Sequence, residues 1–170
     1  MKIVRLKTIA IFLIAVSPQF YWANAQNDTN KTPQPACLNT QSFKAPQLYG
    51  TWLVTFSRPP AGLPKTAVML LEKHEEFADS LSGTVSRDLS PAVSNLSSHA
   101  AKAALAGDVE DGFVILDESS NNISVSGTWN GQLVEGSCGR EIRGLWKDTS
   151  ASAPADAPDA AFTMLRRPGW

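Results

Sequence analysis

A succession of short segments rich in aromatic and β-branched residues, separated by turn-forming residues, dominates this chain. Segments of this length and composition are typical of β-strands. Because exposed strand edges promote aggregation and closure of the sheet removes them, the pattern predicts an all-β fold, a small antiparallel up-and-down β-barrel of about eight strands. An open sandwich is the alternative. The segments are 48–56, 66–71, 81–86, 109–116 around a turn, 123–129 with an extension to 134, 141–146 and 162–166.

Two stretches interrupt the strand pattern. The Ala-rich segment 91–106 carries Leu96, Ala100, Ala103 and Ala104 near helical spacing, which predicts a short helical or irregular insert there. The dipeptide Asn130-Gly131 is typical of a type I′ hairpin turn, although the strand before it can also be read as continuing through 132–134.

The first 25 residues carry the features of a cleavable secretory signal peptide. Lys2, Arg5 and Lys7 precede an apolar run at 9–16, and Ala23-Asn24-Ala25 gives the small-x-small pattern before a cleavage site. The apolar run is shorter than the roughly 20 residues that span a bilayer. We therefore predict cleavage after Ala25, a secreted or periplasmic location, and no membrane association after cleavage.

The remaining chain divides into a polar arm and the barrel. Residues 26–47 are rich in Asn, Thr, Gln and Pro, and this composition predicts an N-terminal arm attached only at Cys37. Residues 48–170 form the predicted barrel domain. Cys37 and Cys138 are the two cysteines of the chain, and in an oxidising compartment such a pair is more often a disulfide than two free thiols.

Charge and motifs exclude several classes of function. The formal net charge of −1 gives no basic surface for nucleic acid. His74-Glu75-Glu76 lacks the second histidine that a zinc protease motif places one helical turn later, and His99 has no nucleophile elbow or orienting acid near it. The cysteines and histidines also lack the spacing of metal ligands. We therefore expect no enzymatic activity, no catalytic residues, no metal and no cofactor.

Several of these segments resemble the avidin and streptavidin family. They are, in chain order, Gly50-Thr51-Trp52, Leu81-Ser82-Gly83-Thr84, Leu105-Ala106-Gly107 with Gly112-Phe113-Val114, Thr128-Trp129-Asn130-Gly131-Gln132 and Phe162-Thr163-Met164-Leu165-Arg166. The resemblance spans roughly residues 37–167. It implies an eight-stranded up-and-down barrel, often paired or tetrameric, that binds biotin in its open end. The positions of Cys37 and Cys138 resemble the disulfide of the egg-white members.

The resemblance also implies ligand-binding residues. Trp129 and Trp146 match tryptophans that wall the biotin pocket, and Ser57 and Asp159 lie nearest to the polar positions of the pocket. An apolar slot with a few convergent polar groups is what a small-molecule site needs. The first hypothesis is therefore an exported avidin-like protein that binds a small molecule such as biotin, with a homo-oligomer as the form that the family favours.

A second hypothesis rests on two departures from the family pattern. Val54 and Val85 occupy positions where the biotin pocket has hydrogen-bonding side chains. Apolar residues there favour a barrel repurposed as a protein-binding module, such as an inhibitor of an exported hydrolase. The loops at 58–64 and 149–158 would then form the binding surface, since loops carry function on a rigid scaffold.

Overall fold

Eight antiparallel strands close into a barrel in the part of the chain that the computed structural model describes, residues 37–87 and 102–169. Each strand pairs with its neighbours in the sequence, and the last strand pairs with the first. The predicted up-and-down barrel is confirmed. The strands are β1 Gly50–Phe56, β2 Thr66–Lys73, β3 Ser80–Arg87, β4 Lys102–Glu110, β5 Phe113–Ser119, β6 Gly127–Leu133, β7 Glu141–Asp148 and β8 Ala160–Arg166.

The interior of the barrel is formed by every second residue of each strand. In β1, for example, Trp52, Val54 and Phe56 are buried while the residues between them are partly exposed. This alternation follows from the pleat, which points successive side chains to opposite faces of the sheet. An eight-stranded barrel is just wide enough for such side chains to fill it or for one small ligand to enter.

The Asn130-Gly131 dipeptide lies inside β6 and forms no turn. Gly131 pairs with Gly144 of β7, and a Cβ atom on Gly144 would lie 2.0 Å from the carbonyl oxygen of Asn130. Glycine is therefore required here for the close approach of two strands. Of the two interpretations of this segment, the continuous strand is confirmed.

The predicted insert at 91–106 is wrong for its last five residues. β4 begins at Lys102, and Ala103 and Leu105 point into the barrel. Alanine fits the inner face of a strand as well as the apolar face of a helix, so its spacing did not distinguish the two. Positions 91–101 lie outside the described residues, as does the predicted signal peptide at 1–25.

The described part of the N-terminal arm packs against the barrel. A 3-10 turn at Thr40–Ser42 leads into a short helix, α1 Ala45–Leu48, and Phe43, Ala45 and Leu48 are buried. This packing differs from the prediction of an arm attached only at Cys37, because apolar side chains at 43–48 belong to the core. No helix within the described ranges is long and apolar enough to cross a membrane.

The predicted disulfide is present. Cys37 and Cys138 are bonded, with their Cα atoms 4.7 Å apart. The bond joins the N-terminal arm to the connection between β6 and β7. We call the barrel end that carries this bond and α1 the disulfide end.

Candidate functional site: a buried ion pair at one end of the barrel

Three described connections emerge at the barrel end opposite the disulfide. In an up-and-down barrel successive connections alternate between the two ends, so residues 57–65, 120–126 and 149–159 lie at the same end. We call this the loop end. The connection at 88–101 lies outside the described residues. The loops that were predicted as a binding surface, 58–64 and 149–158, are thereby both placed at the loop end.

A buried ion pair occupies the interior of the barrel toward the loop end. Arg87 is the last residue of β3 and Glu118 is close to the end of β5, and they are only 3% and 2% exposed. Arg87 donates from Nη1 to Oε1 of Glu118 at 2.8 Å and from Nη2 to Oε2 at 2.6 Å. Two parallel charge-assisted bonds of this kind fix both side chains in position.

Both predicted pocket tryptophans donate to the same carboxylate. The indole Nε1 of Trp129 lies 3.0 Å from Oε2 of Glu118, and that of Trp146 lies 3.1 Å from it. The guanidinium carbon of Arg87 lies 5.8 Å and 5.7 Å from the two indole rings, within the range of cation–π attraction. One oxygen of Glu118 therefore receives three donors, and both tryptophans are held by the ion pair.

Aromatic rings pack around Trp129. Its ring centroid lies 5.6 Å from that of Phe56, 5.1 Å from that of Phe162 and 6.2 Å from that of Trp146. These separations are those of favourable tilted and edge-on ring pairs. Val54 and Val85, at the positions where the family pattern has polar groups, are also fully buried. Around Trp129 the described aromatic and aliphatic side chains are thus closely packed.

One donor of this cluster has no partner. The Nε–H of Arg87 is buried and forms no hydrogen bond among the described residues. A buried donor without a partner costs about 1–3 kcal/mol. Both oxygens of Glu118 therefore have hydrogen-bond partners, whereas one N–H group of Arg87 has none among the described residues.

The four predicted ligand-binding residues fall into two groups. Trp129 and Trp146 are paired across β6 and β7 and are buried together. Ser57 and Asp159 are exposed and lie in the connections that follow β1 and precede β8. The two tryptophans that were expected to wall a ligand slot donate their indole N–H groups to Glu118, and neither Ser57 nor Asp159 contributes to that network.

Arg87 and Glu118 are the site residues that the sequence analysis did not select. Each continues the inward-facing alternation of its strand, Arg87 after Leu81 and Val85, and Glu118 after Val114 and Leu116. A charged residue at a strand position whose side chain points into the core indicates a buried charge. Two such residues of opposite charge, one on β3 and one on β5, indicate an ion pair inside the barrel.

The connection at 120–126 is ordered by its own hydrogen bonds. Oδ1 of Asn121 accepts from the backbone N–H groups of Ile123 and Ser124, both at 2.9 Å. Asn122 adopts a positive φ of 59°, which asparagine tolerates better than most residues. At the tip of this connection the side chain of Ile123 is 90% exposed. A braced turn therefore presents an apolar side chain to solvent.

Glu118 links this connection to the buried cluster. The backbone N–H of Ser126 donates to the carbonyl oxygen of Glu118 at 2.7 Å, while the carboxylate of the same residue holds Arg87 and the two indoles. The side chain of Ser126 also accepts from the N–H of Ser120 at 3.1 Å. The packing inside the barrel thus supports the loop outside it.

A shallow groove lies between this connection and the outer face of β4. Its volume is about 320 Å³, and Ala104 and Ala106 are among its lining residues together with Asp117, Ile123 and Val125. The small alanine side chains leave room beside the protruding connection. The groove is open to solvent, and Glu118 lines it as well as belonging to the buried cluster.

Fold and site together define a closed eight-stranded antiparallel barrel that is filled by an ion pair and aromatic rings toward its loop end. Neither a protein-family model nor a curated protein sequence matches the chain. No group of three or more His, Cys, Asp or Glu side chains suited to a metal ion occurs in residues 37–87 and 102–169.

Proposed function

We propose that this chain is an exported protein-binding module that contacts its partner through the loop end. The observation that carries the proposal is the filled interior, in which Glu118 holds Arg87, Trp129 and Trp146. An exported hydrolase is the partner class to test first, with the barrel acting as its inhibitor. The competing function is the binding of a small molecule such as biotin between the two tryptophans.

The cost of opening the interior supports this choice. A ligand that entered between Trp129 and Trp146 would have to displace their N–H groups from Glu118 or find room beside them. Each buried group left without a hydrogen bond costs about 1–3 kcal/mol, and a buried charge that loses its partner costs more. A small ligand would have to supply this energy before it gained any affinity.

The loop end offers features that suit a protein partner. Ile123 is highly exposed on a hydrogen-bonded turn. The other two described connections at the loop end contain further backbone turns, in which Leu63 N–H donates to Pro60 and Ala153 N–H donates to Ser150. A surface that is ordered before binding loses less entropy in the complex. Inhibitors of proteases typically bind with such pre-organised surfaces.

Titration with biotin separates the two functions. We expect the folded, oxidised protein to release no saturable heat with biotin in a calorimeter, because the indole donors are already bonded to Glu118. A near-ultraviolet circular dichroism spectrum with a defined tryptophan signal, recorded on the same sample, establishes that the protein is folded. Saturable one-to-one binding would reject the filled-interior argument and favour the avidin-like function.

Substitution of Ile123 by aspartate tests the binding surface. The partner is first identified by cross-linking among exported proteins of the source cells and is then purified. We expect Ile123→Asp to weaken its binding at least tenfold, as loss of an interface hot spot does by about 2 kcal/mol. Ile115→Asp is the matched control, because Ile115 is 53% exposed but lies on the barrel wall.

The binding affinities of the two variants show which surface contacts the partner. Weakening by Ile115→Asp but not by Ile123→Asp would place the partner on the barrel wall and reject the loop end. The hydrolytic activity of the purified partner is measured at equal concentrations of the two proteins. Loss of activity in the complex supports inhibition, whereas full activity in the complex leaves binding without inhibition.

A further inference from the structure

A cleft rich in arginine lies at the disulfide end, opposite the loop end. Its volume is about 480 Å³. We call it the arginine cleft, and its lining residues are Cys138, Arg140, Arg166, Arg167, Pro168 and Gly169. Three arginines line this one cleft, although acidic residues outnumber basic ones in the whole chain, 16 to 15.

No carboxylate in residues 37–87 and 102–169 pairs with these arginines. Arg140 and Arg167 are exposed, and neither forms a salt bridge with another described residue. Arg166 donates to the backbone carbonyl oxygens of Gln47 and Tyr49, which carry no formal charge. A cleft lined by residues of one charge sign concentrates ions of the opposite sign, so this cleft favours the binding of an anion.

The backbone around the cleft is fixed before any ligand binds. The N–H of Arg166 donates to the carbonyl oxygen of Arg140 at 2.9 Å, and the N–H of Arg167 donates to Thr51 at 2.9 Å. Cys138 is tied to Cys37 by the disulfide. The relative positions of the three arginine backbones are therefore set by β7, β8 and the disulfide.

We propose that the arginine cleft binds a phosphate group. A guanidinium group presents several N–H donors in a plane, which match the oxygen atoms of phosphate in paired hydrogen bonds. The site is open to solvent, so the phosphate is either the free ion or the head group of a lipid. This inference does not depend on the proposed function, because the cleft lies at the other end of the barrel.

Nuclear magnetic resonance of the arginine side chains tests the site directly. Inorganic phosphate is titrated into the oxidised protein at constant ionic strength, with chloride as the replaced anion. We expect the Nε–H signals of Arg140, Arg166 and Arg167 to shift together. Arg140→Gln and Arg167→Gln should each weaken binding by roughly two- to fivefold, the size expected for an exposed charge.

Arg143→Gln is the matched control. Arg143 lies on β7 close to the cleft in sequence, but it is paired with Glu141 at 2.6 Å and does not line the cleft. Weakening by Arg143→Gln as large as that by Arg140→Gln would mean a general effect of charge and would overturn the proposal. Thermal unfolding of each variant establishes that the exposed substitutions leave the fold intact.

Vesicles distinguish the two sources of phosphate. Phosphatidylcholine vesicles with and without phosphatidic acid are sedimented with the protein. Binding that requires phosphatidic acid and is weakened by Arg140→Gln and Arg167→Gln, but not by Arg143→Gln, supports a lipid head group. Binding of inorganic phosphate alone supports the free ion. Binding of neither one overturns the proposal.

Discussion

Substitution of Glu118 by glutamine is expected to lower the free energy of unfolding by about 3–5 kcal/mol. The change removes the negative charge but keeps the size of the side chain, so the side chain of Arg87, which is 0% exposed, is left buried without a counter-ion. In either orientation the glutamine NH2 group would also face a donor, either Nη1 of Arg87 or the donors that reach Oε2. Urea denaturation of the variant and of the unmodified protein measures the difference.

The same substitution at Glu141 provides the control. Glu141 pairs with Arg143 at 2.6 Å, but the side chains are 21% and 65% exposed. Pairs of this kind contribute only about 0.2–1 kcal/mol. If Glu118→Gln costs no more than Glu141→Gln, the ion pair does not stabilise the loop end. The double variant Arg87→Met with Glu118→Gln should cost less than the sum of the two single changes, because it leaves no buried charge unpaired.

The Glu118→Gln variant also distinguishes the effect of the buried cluster on stability from the effect of the loop-end side chains on binding. The connection at 120–126 is anchored by the backbone carbonyl of Glu118, which the substitution retains. Under conditions where the variant is still folded, its affinity for the partner should therefore change less than that of Ile123→Asp. In the proposed complex the loop end would depend on the cluster for its stability, while its own side chains would contact the partner.

The barrel was predictable because its strands carry two independent signals. β1 and β8 combine β-branched or aromatic residues with period-two alternation, and turn residues end each of them. Where one signal is weak the prediction failed, as at Lys102–Ala106, since alanine is small enough for either kind of element. The arm was misjudged for a related reason: its polar composition concealed Phe43 and Ala45, which are buried.

The candidate site was predictable only in part. Trp129 and Trp146 were selected, and they do lie together inside the barrel. Their common partner Glu118 was not selected, because its ion pair with Arg87 joins residues 31 positions apart through the register of β3, β4 and β5. A register is set by the whole barrel rather than by a local pattern. Phe56 is the last residue of β1 and Ala160 is the first residue of β8, and both point inward. Ser57 and Asp159 lie one position outside these strands and are exposed.

Removal of the disulfide is expected to lower the free energy of unfolding by about 2–4 kcal/mol. The bond between Cys37 and Cys138 spans 101 positions of the sequence, and a crosslink that closes a long loop restricts the unfolded chain strongly. The test is the double variant Cys37→Ser with Cys138→Ser, unfolded in urea. The folded state should retain its tryptophan circular dichroism, because neither cysteine contributes to the cluster around Glu118.

Reduction of the unmodified protein gives the control. With a thiol present, its unfolding curve should move to that of the double serine variant, since both then lack the crosslink. Equal midpoints for the oxidised protein and the variant would mean that the arm is held by packing alone. That packing is close: a Cβ atom on Gly139 would lie 2.1 Å from the ring of Phe43. We therefore expect the arm to stay folded in the variant, with faster hydrogen exchange at 37–43 than at 45–48, because α1 is held by the barrel and the residues before it depend on the bond.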